Sequence, residues 1–164
     1  MGKHLLTYLL FLWVGVMSGL AFVVQASPNF YFKQLSQQDG LPQNFVRSIM
    51  LDHNGFFWIG TSRGVSRFDR HEFKNYSAVP DSATSLPDNL IHFIVEDAQN
   101  NIWISTSKGV CVYQRKSDDF KRIRWGKRAL QAHSYMLTDD ALLLGGRGVI
   151  YRWDYARCVM DTVP

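Results

Sequence analysis

The strongest constraint in this sequence is an internal repeat. Sliding the chain on itself by 45 residues aligns Leu41-Pro42-Gln43-Asn44 with Leu86-Pro87-Asp88-Asn89, and the run from Asp52 to Val65 with the run from Asp97 to Val110. Between positions 41 and 68, 11 of 28 residues are identical without a gap. A third unit is degenerate: Leu142 to Tyr151 keeps a strand, a glycine turn and a strand but has neither the Trp nor the Asp that precedes it. A repeated unit of this length cannot bury its apolar faces alone and has to stack on its neighbours.

Each unit reads as four short strands. In the first, Val46 to Leu51, Phe57 to Thr61, Val65 to Phe68 and Glu72 to Tyr76 alternate with turn chemistry at Asp52 to Gly55, Ser62 to Gly64 and Asp69 to His71. Asp52 can accept from the backbone two residues on, while Gly55 supplies a positive φ. In the second unit Asn100 takes that glycine's place and tolerates the same region. Four antiparallel strands in about 40–50 residues make a β-propeller blade, so the expected fold is all-β: a partial propeller of about three blades, near 41–77, 86–124 and 129–164. Trp58 and Trp103 then pack between blades, because an identical position in successive repeats serves a shared core. The 14% aromatic content and 12 glycines suit a turn-rich β protein.

Upstream, Lys3-His4 precedes an apolar run from Leu5 to Val24 and small residues at Val24 and Ala26. This pattern predicts a signal helix over 1–26, cleaved after Ala26 or retained as an anchor. Residues 27–164 are then exported, with 17 basic and 14 acidic residues, an excess too diffuse to indicate nucleic-acid binding. Two cysteines, Cys111 and Cys158, allow one pairing at most and are expected on equivalent outer-half strands of different blades. The histidines have no metal spacing, and no cofactor motif occurs. His71-Glu72-Phe73-Lys74 imitates a phosphoacceptor histidine box, but it lies in a turn and strand and no ATP-binding box accompanies it.

The string Asp52-x-x-Gly55-Phe-Phe57-Trp58-Ile59-Gly60-Thr61-x-x-Gly64, preceded by Asp39-Gly40-Leu41-Pro42-x-Asn44, resembles the two-component regulator propeller repeat. Departures are Val65 and Val110 for leucine, Ser105 for the motif glycine and Arg70 after Asp69. The resemblance implies the N-terminal periplasmic sensor region of hybrid histidine kinases of Bacteroidetes. There, propellers are followed by a β-sandwich, a membrane span and a kinase module, with dimeric assembly. It also implies that this chain is a fragment lacking kinase motifs, with partners in the remaining blades and kinase module. The segment Phe30 to Leu35 reads as a strand that completes the last blade of a closed ring.

In such a four-strand meander alternate connections share a face. Arg47, Arg63, His92 and Lys108 are therefore the candidate ligand-binding residues near the channel mouth, with no catalytic residue among them. The densest basic stretch, within 115–128, offers Lys121, Arg122, Arg124, Lys127 and Arg128 as a polyanion patch for an acidic or sulfated glycan. Its plainer reading is an exposed outer strand and loop. The expected function is a non-enzymatic, glycan-responsive extracytoplasmic sensor binding a small glycan or oligosaccharide. The alternatives are a polysaccharide-active propeller enzyme and a protein-interaction propeller.

Overall fold

Asp52 and Asp97 set the geometry of the first two sheets. Asp52 Oδ1 accepts the backbone N–H groups of Asn54 and Phe56 at 3.0 and 2.9 Å, and Asp97 Oδ1 accepts those of Gln99 and Asn101 at 2.9 and 2.8 Å. Gly55 and Asn100 take φ values of 84° and 63° in these turns. Each turn joins the first two strands of a sheet in a computed structural model that describes residues 32–163. The expected signal segment over 1–26 lies outside the described residues.

The first sheet orders β1 (Val46–Leu51), β2 (Phe57–Thr61), β3 (Gly64–Phe68) and β4 (Phe73–Tyr76), all antiparallel. The second orders β5 (Ile91–Glu96), β6 (Ile102–Thr106), β7 (Gly109–Gln114) and β8 (Asp119–Arg122) in the same way. A two-stranded hairpin, β9 (Arg124–Trp125) and β10 (Arg128–Ala129), follows where the sequence suggested only a loop. The third sheet is β11 (Ser134–Leu137), β12 (Ala141–Gly146), β13 (Val149–Asp154) and β14 (Val159–Val163). Three four-stranded antiparallel meanders, stacked in sequence order, make the partial propeller expected from the repeat.

The stacking follows from strand alternation. One apolar cluster joins Trp58 and Val65 of the first sheet to Ile91, Ile94, Ile102, Ile104 and Phe120 of the second. A second joins Phe93, Val95, Trp103 and Val110 to Leu142 and Leu144 of the third. The middle sheet is buried on both faces, so every residue of β6 is buried, whereas β1 leaves Ile49 and Leu51 exposed. Each Trp packs toward the next sheet and donates its indole N–H to the turn aspartate, Trp58 to Asp52 at 3.0 Å and Trp103 to Asp97 at 2.8 Å. The indole therefore ties the turn to the core, a role for the Asp and Trp spacing beyond turn formation or packing alone.

Two expectations are corrected. Of the proposed Phe30 to Leu35 strand, the described residues form no strand. Instead a 3-10 turn at Gln37–Asp39, capped by Ser36, brings Leu35 and Leu41 onto Ile59 and Phe68 on the outer face of the first sheet. Cys158 lies in the turn between β13 and β14 with φ 53°, not on a strand equivalent to that of Cys111, and both thiols are free. Cys111 is buried, which pushes its thiol well above the ordinary range and leaves it a small apolar core residue.

Candidate functional site

Strand pairing places the candidate residues. Val46 pairs with Thr61 and Ile91 with Thr106, so the first strand of each sheet starts beside the turn between its second and third strands. Arg47 and Arg63, His92 and Lys108 consequently lie at one end of the stacked sheets. The β1–β2 and β3–β4 turns, with His71, lie at the other. Arg63 and Lys108 are exposed in two-residue turns, whereas Arg47, also exposed, and the half-buried His92 sit at the strand starts.

Arg47 and His92 share a local device. The register of β1 shifts between Val46 and Ser48, and that of β5 between Ile91 and Phe93, so each of the two residues is the extra one in a β-bulge. A bulge re-aims the side chain it inserts. In the third sheet His133 donates its backbone N–H to Gly145 O at 2.8 Å beside the Ser134 and Gly145 pair, the same station again. Arg47, His92 and His133 therefore form a row across three sheets, with the two imidazole rings 4.8 Å apart and edge to face. His133 escaped the sequence reading because the third unit is shorter, and a slide of 45 residues passes over it.

The chemistry of the row depends on one departure from the repeat. At the first junction Arg47 Nε donates to Ile91 O at 2.8 Å. At the second, the equivalent carbonyl of Ala132 accepts Ser105 Oγ at 2.5 Å, and Ser105 stands where the first unit has Gly60. His92 Nε2 is then buried without a hydrogen-bond partner among the described residues. Burial, followed by the charges of His133 and Arg47, lowers the His92 pKa below its ordinary value against the opposing pull of Asp88. At neutral pH the imidazole is therefore uncharged, with its Nε2 enclosed.

Asp88 is the acidic member of this end. Its carboxylate bonds Ser107 Oγ, and the preceding repeat pairs Gln43 with Ser62 at the same stations. Burial works to raise the Asp88 pKa, but the bonds from Ser107 and the Asn89 N–H, with Lys108 nearby, hold it below the usual carboxylate range. Adding 45 to Gln43 leads to Asp88, so this residue was within reach of the sequence. The face thus combines guanidinium, imidazole, ammonium, amide and carboxylate groups, a set suited to hydroxyl-rich or anionic ligands.

The proposed basic residues divide between β8 and the β9–β10 hairpin: Lys121, Arg122 and Arg124 line one cleft, and Arg122, Arg124 and Lys127 line another together with Lys108. Arg122 is committed to the loop before β5, donating to Ser82 O at 2.7 Å and to Ser85 O and Leu86 O at 3.2 Å. Lys121 is exposed on the outer strand, and Arg124, Lys127 and Arg128 belong to the β9–β10 hairpin and its turn. Arg115, at the opposite end, bridges two sheets through Asp52 at 3.3 Å and Glu96 at 3.0 Å.

Comparison with known proteins agrees with this architecture. The family model described as two component regulator propeller matches residues 40–63 and 85–108. No curated protein matches the chain. The extracellular domain of the hybrid two component system BT3049 from B. thetaiotaomicron superposes with a TM-score of 0.66 at 23% identity, over 79% of this chain and 19% of that one. The extracellular domain of the one component system BT4673 from the same organism gives 0.62 at 22% identity, over 80% and 20%. Virginiamycin B lyase from Staphylococcus aureus gives 0.53 at 17% identity, over 76% and 42%. At these identities the likeness establishes the fold, and this chain spans about a fifth of the length of the two B. thetaiotaomicron domains.

Proposed function

Residues 40–63 and 85–108 being two-component regulator propeller repeats, we propose that the chain is a non-enzymatic, periplasmic ligand-sensing part of a two-component signalling receptor and responds to a glycan. The observation that carries this reading is the row of Arg47, His92 and His133 at one end of three successive sheets, the first two set by β-bulges and the two imidazoles in contact. A ligand laid across that row touches several blades at once. It can therefore bias how they sit, provided that it binds one arrangement more tightly than the other. Further blades, covering the exposed faces of the first and third sheets, and a dimeric kinase module complete the receptor in this proposal. The extracellular context of the similar domains supports the compartment.

Isothermal titration of the chain with a panel of neutral and acidic oligosaccharides tests the reading. Saturable binding is expected, weakened at least tenfold, about 1.4 kcal/mol, by Arg47→Gln or His92→Ala. Absence of binding across the panel counts against it, and turnover of a bound oligosaccharide would favour an enzyme instead.

A further inference from the structure

The β9–β10 hairpin builds a second feature on the same end of the molecule. Gly126, at φ 60°, turns the hairpin, which stands beside the β12–β13 turn of the third sheet. Between them is a cleft of ≈ 430 Å³ lined by Trp125, Arg128, Ala129, Gln131, Arg147 and Tyr151. That volume falls within the ~300–1,000 Å³ typical of small-molecule sites.

Its lining is of two kinds. Trp125 and Tyr151 meet edge to face with ring centroids 5.7 Å apart, and Trp125 is 40% exposed, so an aromatic surface remains for a ligand. Arg128 and Arg147 add two guanidinium groups that have no hydrogen-bond or ion-pair partner among the described residues. Several other arginines are engaged, Arg152 with Asp140 and Asp154, Arg157 with Asp154 and Asp161, Arg122 with backbone carbonyls, while Arg63, Arg70 and Arg124 share the lack of a side-chain partner among the described residues but lie outside this cleft. Arg147 moreover holds φ 49° in a tight turn, the left-handed region that favours glycine and asparagine.

We propose that this cleft binds an acidic sugar, with a ring face packed on Trp125 and Tyr151 and a carboxylate or sulfate held by Arg128 and Arg147. Paired guanidinium groups suit oxyanions because their planar forks give two parallel hydrogen bonds. The Gln131 amide can serve a hydroxyl. The inference rests on the glycan-sensing reading and adds to it a charge-selective subsite.

Titration of the chain with trigalacturonic acid and a heparin disaccharide, against neutral galactotriose and adenosine monophosphate, tests it. At least one acidic sugar is expected to bind saturably, at least tenfold more tightly than the neutral one and more weakly as salt rises. Arg147→Gly should weaken that binding at least tenfold while melting no lower than the parent, since glycine accepts this φ freely. Trp125→Ala should also weaken it. Equal affinity for neutral and acidic sugars, tighter binding of the nucleotide, or binding unchanged in Arg147→Gly would overturn the proposal. Acidic-sugar binding that survives Arg147→Gly but is lost in the Arg63→Gln/Lys108→Gln double variant would refute the cleft and leave the sensing reading standing. Failure of every sugar would remove both.

Discussion

Gly60 and Ser105 occupy the same station in successive repeats, and their difference is matched by the residues they face. A Cβ on Gly60 would come within 2.6 Å of Ile91 Cγ2, whereas Ser105 faces Ala132, the equivalent of Ile91 in the third sheet, and bonds its carbonyl. Small faces large at one junction and larger faces small at the next. Gly60→Ala should therefore cost about 1–3 kcal/mol through overpacking, measured by urea unfolding. The Gly60→Ser/Ile91→Ala double variant, which recreates the second junction at the first, should be more stable than the sum of its single variants by about 1 kcal/mol or more. Additivity would show that the two positions do not share space. His92 carries a second prediction at this scale. Its pKa is lowered in the folded state, so the stability it contributes is present above the ordinary histidine value of 6.5 and declines as pH falls below it. The imidazole should titrate below 6.5 by NMR, and His92→Ala should flatten the fall in thermal stability on mild acidification. A midpoint at or above 6.5 would contradict the buried, uncharged assignment.

The junction between the first and second sheets is held at its far end by polar groups as well as by apolar packing. Asp118, at φ 56° in the turn between β7 and β8, accepts Tyr76 Oη at 2.7 Å and Tyr113 Oη at 2.5 Å, and pairs with Lys74 of the first sheet. Burial works to raise the Asp118 pKa, but the bonds from Lys74, Tyr113 and Tyr76 bring it down to about 2. A depressed carboxylate contributes stability above its ordinary value near 3.8 that is lost as pH falls toward 2. Asp118→Asn should lower the melting temperature at neutral pH and remove part of the acid sensitivity between those values. The hydrogen bonds of Asp97, by contrast, fall within its own sheet. Asp97→Ala should cost about 2–3 kcal/mol, because it strands the buried Trp103 indole N–H together with two backbone donors. An effect below 1 kcal/mol would mean that the turn and the indole find other partners. These elements were legible in advance: turn residues and two-residue alternation located the strands of the first two sheets. The β9–β10 hairpin was not, since Arg124-Trp125 and Arg128-Ala129 are too short to show a period.

Across the whole molecule, the middle sheet is enclosed and the outer faces of its neighbours are not. Ile49 is 65% exposed on the first sheet and Met136 56% exposed on the third. Exposed strand faces of this kind recruit partners. Ile49→Lys with Met136→Lys should therefore shift the chain toward monomer in light scattering, and an unchanged distribution would show that these faces do not drive association. The repeat alone determined the all-β class, the four-strand unit and the inward Trp, because a period of 45 with shared turn residues admits few other ways to bury apolar faces. It also put Arg47, Arg63, His92 and Lys108 at one end, since alternate turns of a meander must share a face. Only the tertiary structure decided which polar groups meet. His133 joined the row, Arg122 was withdrawn to backbone carbonyls, and Trp125 with Arg128 was brought to Arg147 and Tyr151. Those encounters depend on bulges, turn conformations and the stacking of one sheet on the next. Such contacts lie between residues with no fixed spacing in the chain, and periodicity carries no information about them.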